Sequence, residues 1–223
     1  TLNAFDGLQI SHFLDVVPSR GFILETWYNP PVAQALVMPG WFEDHFNNMR
    51  RYARMSAAGV LVGSEPNAEV RVAGLFGREI DFTPSSADLQ KVLDGIILAG
   101  EAFLAAGAEA VLPATFEYHE YHNPAELQRI RTDVRRASDI TLGTGHPMGG
   151  NALGGNRATA VVDPEFKVYG YDNLFLCDAS VFPTSVGVNP QLTVMALAQY
   201  AAPFVAGGAI STGAPAAAVL QPA

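Results

Sequence analysis

The chain has 223 residues, with 22 Asp+Glu against 13 Lys+Arg and a formal net charge of −9. That length can bury a core as one large or two small domains, and the acidic balance argues against nucleic acid or an anionic membrane surface as a partner. The single cysteine, Cys177, excludes an intrachain disulfide and paired-cysteine zinc or redox sites. No run approaches the roughly 18 uninterrupted apolar residues of a membrane span, and no leader pattern opens the chain, so a soluble protein is expected. The chain begins at Thr1. An N-terminal Thr can serve as a nucleophile activated by its own amine, but a processing end is the plainer reading.

In chain order, Gly21-Phe22-Ile23-Leu24-Glu25-Thr26-Trp27-Tyr28 reads as a strand stopped by Asn29-Pro30-Pro31. Phe42, Phe46, Met49 and Ala53 fall at helical spacing and predict a helix from about Pro39-Gly40 to Ala58, closed by Gly59. Val60 to Gly63, Glu69 to Ala73 and Arg78 to Phe82 read as short antiparallel strands. Ser85 or Ser86 caps a helix whose broad apolar face runs from Leu89 to Leu104, and Gly107 ends it. Asn123-Pro124-Ala125-Glu126 opens another helix, to about Ala137, with Arg129, Arg131, Arg135 and Arg136 on a solvated face. After a Gly/Asn-rich stretch over 141–163, Phe166 to Tyr169 reads as a short strand. Asn173 to Cys177 reads as a strand buried on both faces, with Cys177 as a core thiol. A helix follows from Leu192 to about Phe204, with Asn189 as its cap and Pro190 in its first turn. The Ala/Gly/Pro-rich end reads as a flexible tail.

The chemistry concentrates late in the chain. Asp178 ends a predicted strand, where open α/β sheets place their ligands. The helix after Asn189-Pro190 presents unpaired amides and the positive end of its dipole, which favour an anion. His146 stands among Gly143, Gly145, Gly149 and Gly150, on a loop whose backbone can approach a ligand closely, and imidazole can move a proton near neutral pH. Glu117, His119, Glu120 and His122 are metal-capable residues without the helical zinc spacing, and they read as surface polar groups, so no metal is expected. No serine-hydrolase elbow is present.

Three linked stretches resemble the glucose–methanol–choline (GMC) oxidoreductases. They are His146-Pro147-Met148-Gly149-Gly150-Asn151-Ala152-Leu153-Gly154, Gly170 to Ser180, and Pro183-Thr184-Ser185-Val186-Gly187-Val188-Asn189-Pro190-Gln191 on to Ala198. The wording is most similar to that of cholesterol oxidases and long-chain alcohol oxidases. The resemblance implies FAD as cofactor and hydride transfer from an alcohol to the flavin. It implies His146 as the group acting on the hydroxyl proton and Asn189 at the second active-site position. Asp178 and Ala179 match the strand end at the flavin's phosphate–ribitol region, and Asn189, Pro190 and Gln191 open the helix directed at the isoalloxazine. Glu25 matches, more loosely, a substrate-side carboxylate of sterol-oxidising relatives.

The fold expected is α/β (α+β). An antiparallel-sheet substrate-binding domain over 1–140 precedes the C-terminal strand–loop–helix part of a Rossmann-like FAD domain over 141–206, and a flexible tail covers 207–223. The GxGxxG dinucleotide fingerprint is missing from the chain. An N-terminal chain or subunit carrying that half is therefore the expected partner, with a small-molecule alcohol as substrate, in the cytoplasm or exported together. The substrate is expected to be apolar, a sterol or long-chain alcohol. Alternatives are a sugar or polyol dehydrogenase of the same family, a non-redox flavin-containing lyase, and a non-catalytic subunit.

Overall fold

A computed structural model describes residues 10–74 and 77–207. Thr1 and the tail beyond Gly207 lie outside the described residues. The chain divides into two compact units, one holding the residues up to Gly145 together with Ser185–Val188, the other His146–Thr184 and the residues from Asn189 onward.

The first unit is built on a three-stranded antiparallel sheet, β1 (Ile10–Asp15), β2 (Phe22–Trp27) and β3 (Ala57–Val62), with β2 in the centre. A short helix, α1 (Val17–Arg20), turns between β1 and β2 and ends on Gly21 at φ 77°, a conformation open to glycine. Leu24 pairs with Val60 and Glu25 with Gly59, so these two pairs point to opposite faces. Between β2 and β3 lie α2 (Pro31–Val37), α3 (Glu43–Arg50) and a 3₁₀ turn at Tyr52–Arg54.

This region departs from the sequence expectation. The helix ends at Arg50 rather than Ala58, and Gly59 is a mid-strand residue rather than a helix terminus. The cause is tertiary. Tyr52 is buried and its hydroxyl donates to the Asn29 carbonyl, while Met55 is already extended and leads into β3, which pairs with β2 over its whole length. β2 does end at Trp27, ahead of Asn29-Pro30-Pro31, and the prolines also open α2, where Pro31 occupies the first helical position.

A hairpin of β4 (Glu69–Ala73) and β5 (Gly77–Asp81) forms a separate two-stranded sheet, at the expected positions. The long helix α4 (Ser86–Ala105) then packs on β2 and β3. The Ser85 hydroxyl caps it by accepting from the Asp88 amide at 3.1 Å. The Asp88 carboxylate in turn accepts from the Glu65 amide at 3.2 Å and from Lys91 Nζ at 3.1 Å. Two glycines let α4 approach its neighbours. A Cβ on Gly95 would lie 2.3 Å from Val60 Cγ1, and one on Gly100 would lie 2.5 Å from Leu127 Cδ2.

The Asn123 side chain accepts from the Glu126 amide at 2.9 Å and opens α5 (Pro124–Leu127), as its sequence predicts. The expected continuation to Ala137 breaks, and α6 (Ile130–Asp133) gives way to an extended, buried Val134. The Asp139 carboxylate takes the Arg135 and Arg136 amides at 2.9 and 3.0 Å, so these amides leave the helical pattern. Leu89, Leu93, Ile97, Tyr121, Leu127, Ile130, Val134 and Ile140 form the core beneath α4. Each fully buried Leu or Ile contributes about 1.5–3 kcal/mol through removal from water.

The second unit has its own core of Val162, Phe166, Val168, Val181, Phe182 and Ala201. Asn173 to Cys177 is not a strand buried on both faces. Among the described residues the segment's backbone is tied to Phe166–Val168, through the Lys167–Phe175 bridge and the bonds Val168 N–H to Leu174 O and Leu176 N–H to Phe166 O. One side remains open, so Leu174 is exposed and Cys177 half-buried against the core. Phe166 to Tyr169 is likewise a pair of isolated bridges rather than a strand. The last helix, α7 (Gln191–Val205), is close to the predicted span.

Candidate active site

Within the second unit the chain lays two of the motif stretches side by side. The Gly149 amide donates to Ala179 O at 3.0 Å, Asn151 to Ser180 O at 2.9 Å and Leu153 to Val181 O at 3.0 Å. These three bonds hold the loop that follows His146 alongside the turn that follows Asp178. His146 is half-buried at the entrance of this ladder.

Glycine is needed where the ladder starts. Gly149 and Gly150 adopt φ 86° and 103°, conformations costly for other residues. A Cβ on Gly150 would meet nothing within 4 Å, and the same holds at Gly143 and Gly145. The glycines along this stretch therefore leave open space beside the backbone rather than relieve a crowded contact.

Asp178 caps a 3₁₀ turn at Ala179–Val181, its Oδ1 accepting from the Ser180 amide at 2.8 Å. The nearby Ser180 hydroxyl and this amide hold the Asp178 carboxyl below its usual range. That hydroxyl is nevertheless aligned with no acceptor: Ser180 Oγ is buried without a hydrogen-bond partner among the described residues. A buried polar atom left unpaired costs roughly 1–3 kcal/mol, so such an atom calls for a ligand or water.

Asn189 is half-buried and does not cap α7. Pro190 occupies the cap position, is buried, and offers no side-chain cap to the helix. The first bond of the helix runs from the Val194 amide to Pro190 O at 2.8 Å. The carboxamide expected to satisfy the helix terminus is thus not spent there, and the amide end keeps its partial positive charge for a ligand.

Glu25 is not a strand-edge residue. It sits in the middle of the central strand at 5% exposure. It belongs to the first unit, whereas the six other site positions, His146, Asp178, Ala179, Asn189, Pro190 and Gln191, belong to the second. Its carboxylate accepts a long hydrogen bond from Trp27 Nε1 at 3.5 Å. Sequence reasoning missed Ser180 as a site residue; its signal was its place two residues after Asp178.

No group of His, Cys, Asp and Glu among the described residues is arranged to hold a metal ion. The His119 ring instead stacks on Tyr121, with Asp133 3.8 Å from its Nδ1, and Glu120 pairs with Arg51 at 3.0 Å. No helix among the described residues is long and apolar enough to cross a membrane.

The model of the GMC oxidoreductase family matches residues 72–198, more than half of the chain. The chain belongs to the GMC oxidoreductase family. It is 30% identical over 184 residues to an uncharacterized GMC-type oxidoreductase of Mycobacterium tuberculosis, covering 81% of this chain and 28% of that protein. It is 27% identical over 213 residues to a long-chain-alcohol oxidase of Arabidopsis thaliana, covering 88% of this chain and 28% of that protein. Its fold is similar to that of formate oxidase from Aspergillus oryzae, with a TM-score of 0.53 at 20% identity over 84% of this chain and 31% of the oxidase. The chain thus spans under a third of the length of these relatives.

Members of this family are FAD-binding flavoproteins. The residues present fit that cofactor. The second unit offers an unpaired buried hydroxyl at Ser180, an α7 amide end without a side-chain cap, and glycine backbone with open space beside it.

Proposed function

We propose that this chain forms the substrate-facing and active-site part of a FAD-dependent oxidoreductase acting on the CH–OH group of an apolar alcohol, a sterol or long-chain alcohol. The observation that carries this reading is the ladder that lays the His146 loop along the Asp178–Val181 turn. Similarity to a long-chain-alcohol oxidase over most of the chain supports the substrate class. A polypeptide bearing the dinucleotide fingerprint, absent from these 223 residues, completes the cofactor site.

FAD, when bound, supplies the two-electron acceptor for the hydride of the carbinol carbon. The residues of this chain do the rest. His146 takes the hydroxyl proton on an imidazole nitrogen, which leaves a carbonyl product once the hydride has gone. The Asn189 carboxamide, free of any capping role, donates an N–H to the alcohol oxygen and holds it for that transfer. The α7 terminus, opened by Pro190 and Gln191, favours negative charge on the cofactor ring. Asp178, Ala179 and the Ser180 hydroxyl serve the phosphate–ribitol stretch. Glu25 is assigned to the substrate side.

The test is anaerobic flavin reduction in the full protein. His146→Ala slows it by about a hundredfold or more, the size of a lost general base. Reduction at a near-normal rate would overturn the assignment.

A further inference from the structure

The β4–β5 hairpin of the first unit is a sheet of its own, and among the described residues no third strand pairs with either of its edges. A two-stranded hairpin alone in water is marginal, and each open edge is a row of amides and carbonyls that a further strand can extend. Its apolar side is not covered either. Val70 and Ile80 are direct cross-strand partners, Val72 lies on the same face, and the three are 68%, 72% and 88% exposed. The open end of the hairpin is closed by Asn67 Nδ2, which donates to Thr83 O at 2.8 Å.

The other face is charged. Glu69, Arg71, Glu79 and Asp81 share it by alternation, and the Arg71 guanidinium lies 2.6 Å from Glu69 and 3.6 Å from Asp81. Glu69 and Asp81 stand directly opposite each other, so one arginine serves two like charges.

The two edges differ in what a copy of themselves would meet. Two identical antiparallel strands are related by a two-fold axis at one residue, and directly opposed residues share a face. Along β5, an axis at Glu79 sets that carboxylate against itself, and an axis at Ile80 sets Glu79 against Asp81 of the copy. Like charges directly opposite disfavour both registers. Along β4, an axis at Arg71 would set the arginine against itself, but an axis at Val70 sets Glu69 against Arg71 of the copy and Arg71 against its Glu69. That register also sets Val70 against Val70, and Val72 against Ala68, on the apolar face.

We propose that β4 is a self-pairing edge. A second copy of this chain adds its own β4, antiparallel and centred on Val70, to give a sheet in the order β5–β4–β4–β5. Arg71 carries a fork of N–H donors, so it keeps Asp81 of its own chain while taking Glu69 of the second copy. Each hairpin thereby gains the third strand that it lacks. The proposal uses no residue of the candidate active site and is independent of the flavin chemistry.

The test is sedimentation velocity of the full protein over a range of concentrations at low salt, where exposed charge pairs are least screened. The unmodified protein is expected to show a concentration-dependent monomer–dimer equilibrium. Glu69→Arg alone and Arg71→Glu alone each set like charges opposite at both pairs, and each should weaken the dimer about tenfold or more. Mixed in equal amounts, with one of them fluorescently labelled, the two variants should dimerise again. In the mixed pair the introduced arginine faces the introduced glutamate, and the native Arg71 faces the native Glu69. A variant that had merely lost its hairpin could not recover in this way. Three results overturn the proposal. One is a full protein that stays monomeric at every concentration, as it would if another strand of the longer polypeptide covered β4. The second is a pair of single variants that dimerise as well as the unmodified protein. The third is a mixture that associates no better than either variant alone.

Discussion

The Gly149 amide donates to the Ala179 carbonyl at 3.0 Å, joining two stretches that lie 30 positions apart in sequence. Gly149 can do this because its φ of 86° turns the chain after His146-Pro147-Met148 toward the Asp178 turn. The bond also fixes where the His146 loop begins, which ties the proposed base to the proposed cofactor segment within one compact unit.

Gly149→Ala should therefore cost about 1–2 kcal/mol, because a side chain in this conformation is strained. Differential scanning of the purified protein checks it. The Phe182 carbonyl 3.5 Å from the new Cβ adds no clash, so the cost should come from the backbone alone.

Ser180→Ala separates a structural hydroxyl from a ligand-binding one. The hydroxyl makes no well-aligned hydrogen bond among the described residues but lies near the Asp178 carboxylate, so without FAD its removal should change stability by less than about 1 kcal/mol. FAD affinity, measured by fluorescence titration, should fall by roughly two- to tenfold, the range for one lost hydrogen bond. Unchanged affinity would remove Ser180 from the cofactor site.

Gly95 sets how closely α4 approaches the sheet. Gly95→Ala places a Cβ against Val60 and should destabilise the protein by about 1–3 kcal/mol, the usual cost of overpacking. Val60→Ala in the same protein should recover part of that loss. Urea titration of the three variants measures the coupling.

Asp88 makes the first unit acid-sensitive. Burial works against its ionisation, but the Glu65 amide, Lys91 and Ser85 outweigh it and hold the carboxyl below the usual range. A depressed folded-state pKa contributes stability that is present above the unfolded value of about 3.9 and lost as pH falls through the folded value. Melting temperature should therefore drop below about pH 4, and Asp88→Asn should flatten that drop while lowering stability at neutral pH by about 1–3 kcal/mol.

Local signals were readable wherever a short stretch decides its own conformation. Ser85 before α4, Asn123-Pro124 before α5 and the alternation of Glu69 to Ala73 all led to the observed elements. The family was readable because its motifs are runs of glycine, Asn and Pro that few folds need in that order. Gly59 was misread because a glycine at the end of an apolar periodic run signals a helix terminus, whereas its reason for being glycine is the Trp27 ring two pairs along the strand. The Asn173–Cys177 run has the composition of a strand, but among the described residues its backbone pairs with Phe166–Val168 through one isolated bridge and two further bonds, too short a pairing for a continuous ladder. The cap of α7 went astray for a similar reason, since Pro190 takes the position that Asn189-Pro190 assigns to Asn. In each case the deciding contact is remote in sequence.

On the proposed function, this chain serves a flavin that oxidises an apolar alcohol. The most direct measurement is anaerobic addition of 1-decanol or cholesterol to the full protein, purified without denaturant, while its visible absorbance is followed. Bleaching of the oxidised-flavin band by either alcohol, with release of the matching carbonyl compound, is the predicted result. A yellow protein whose absorbance neither alcohol alters would contradict the account.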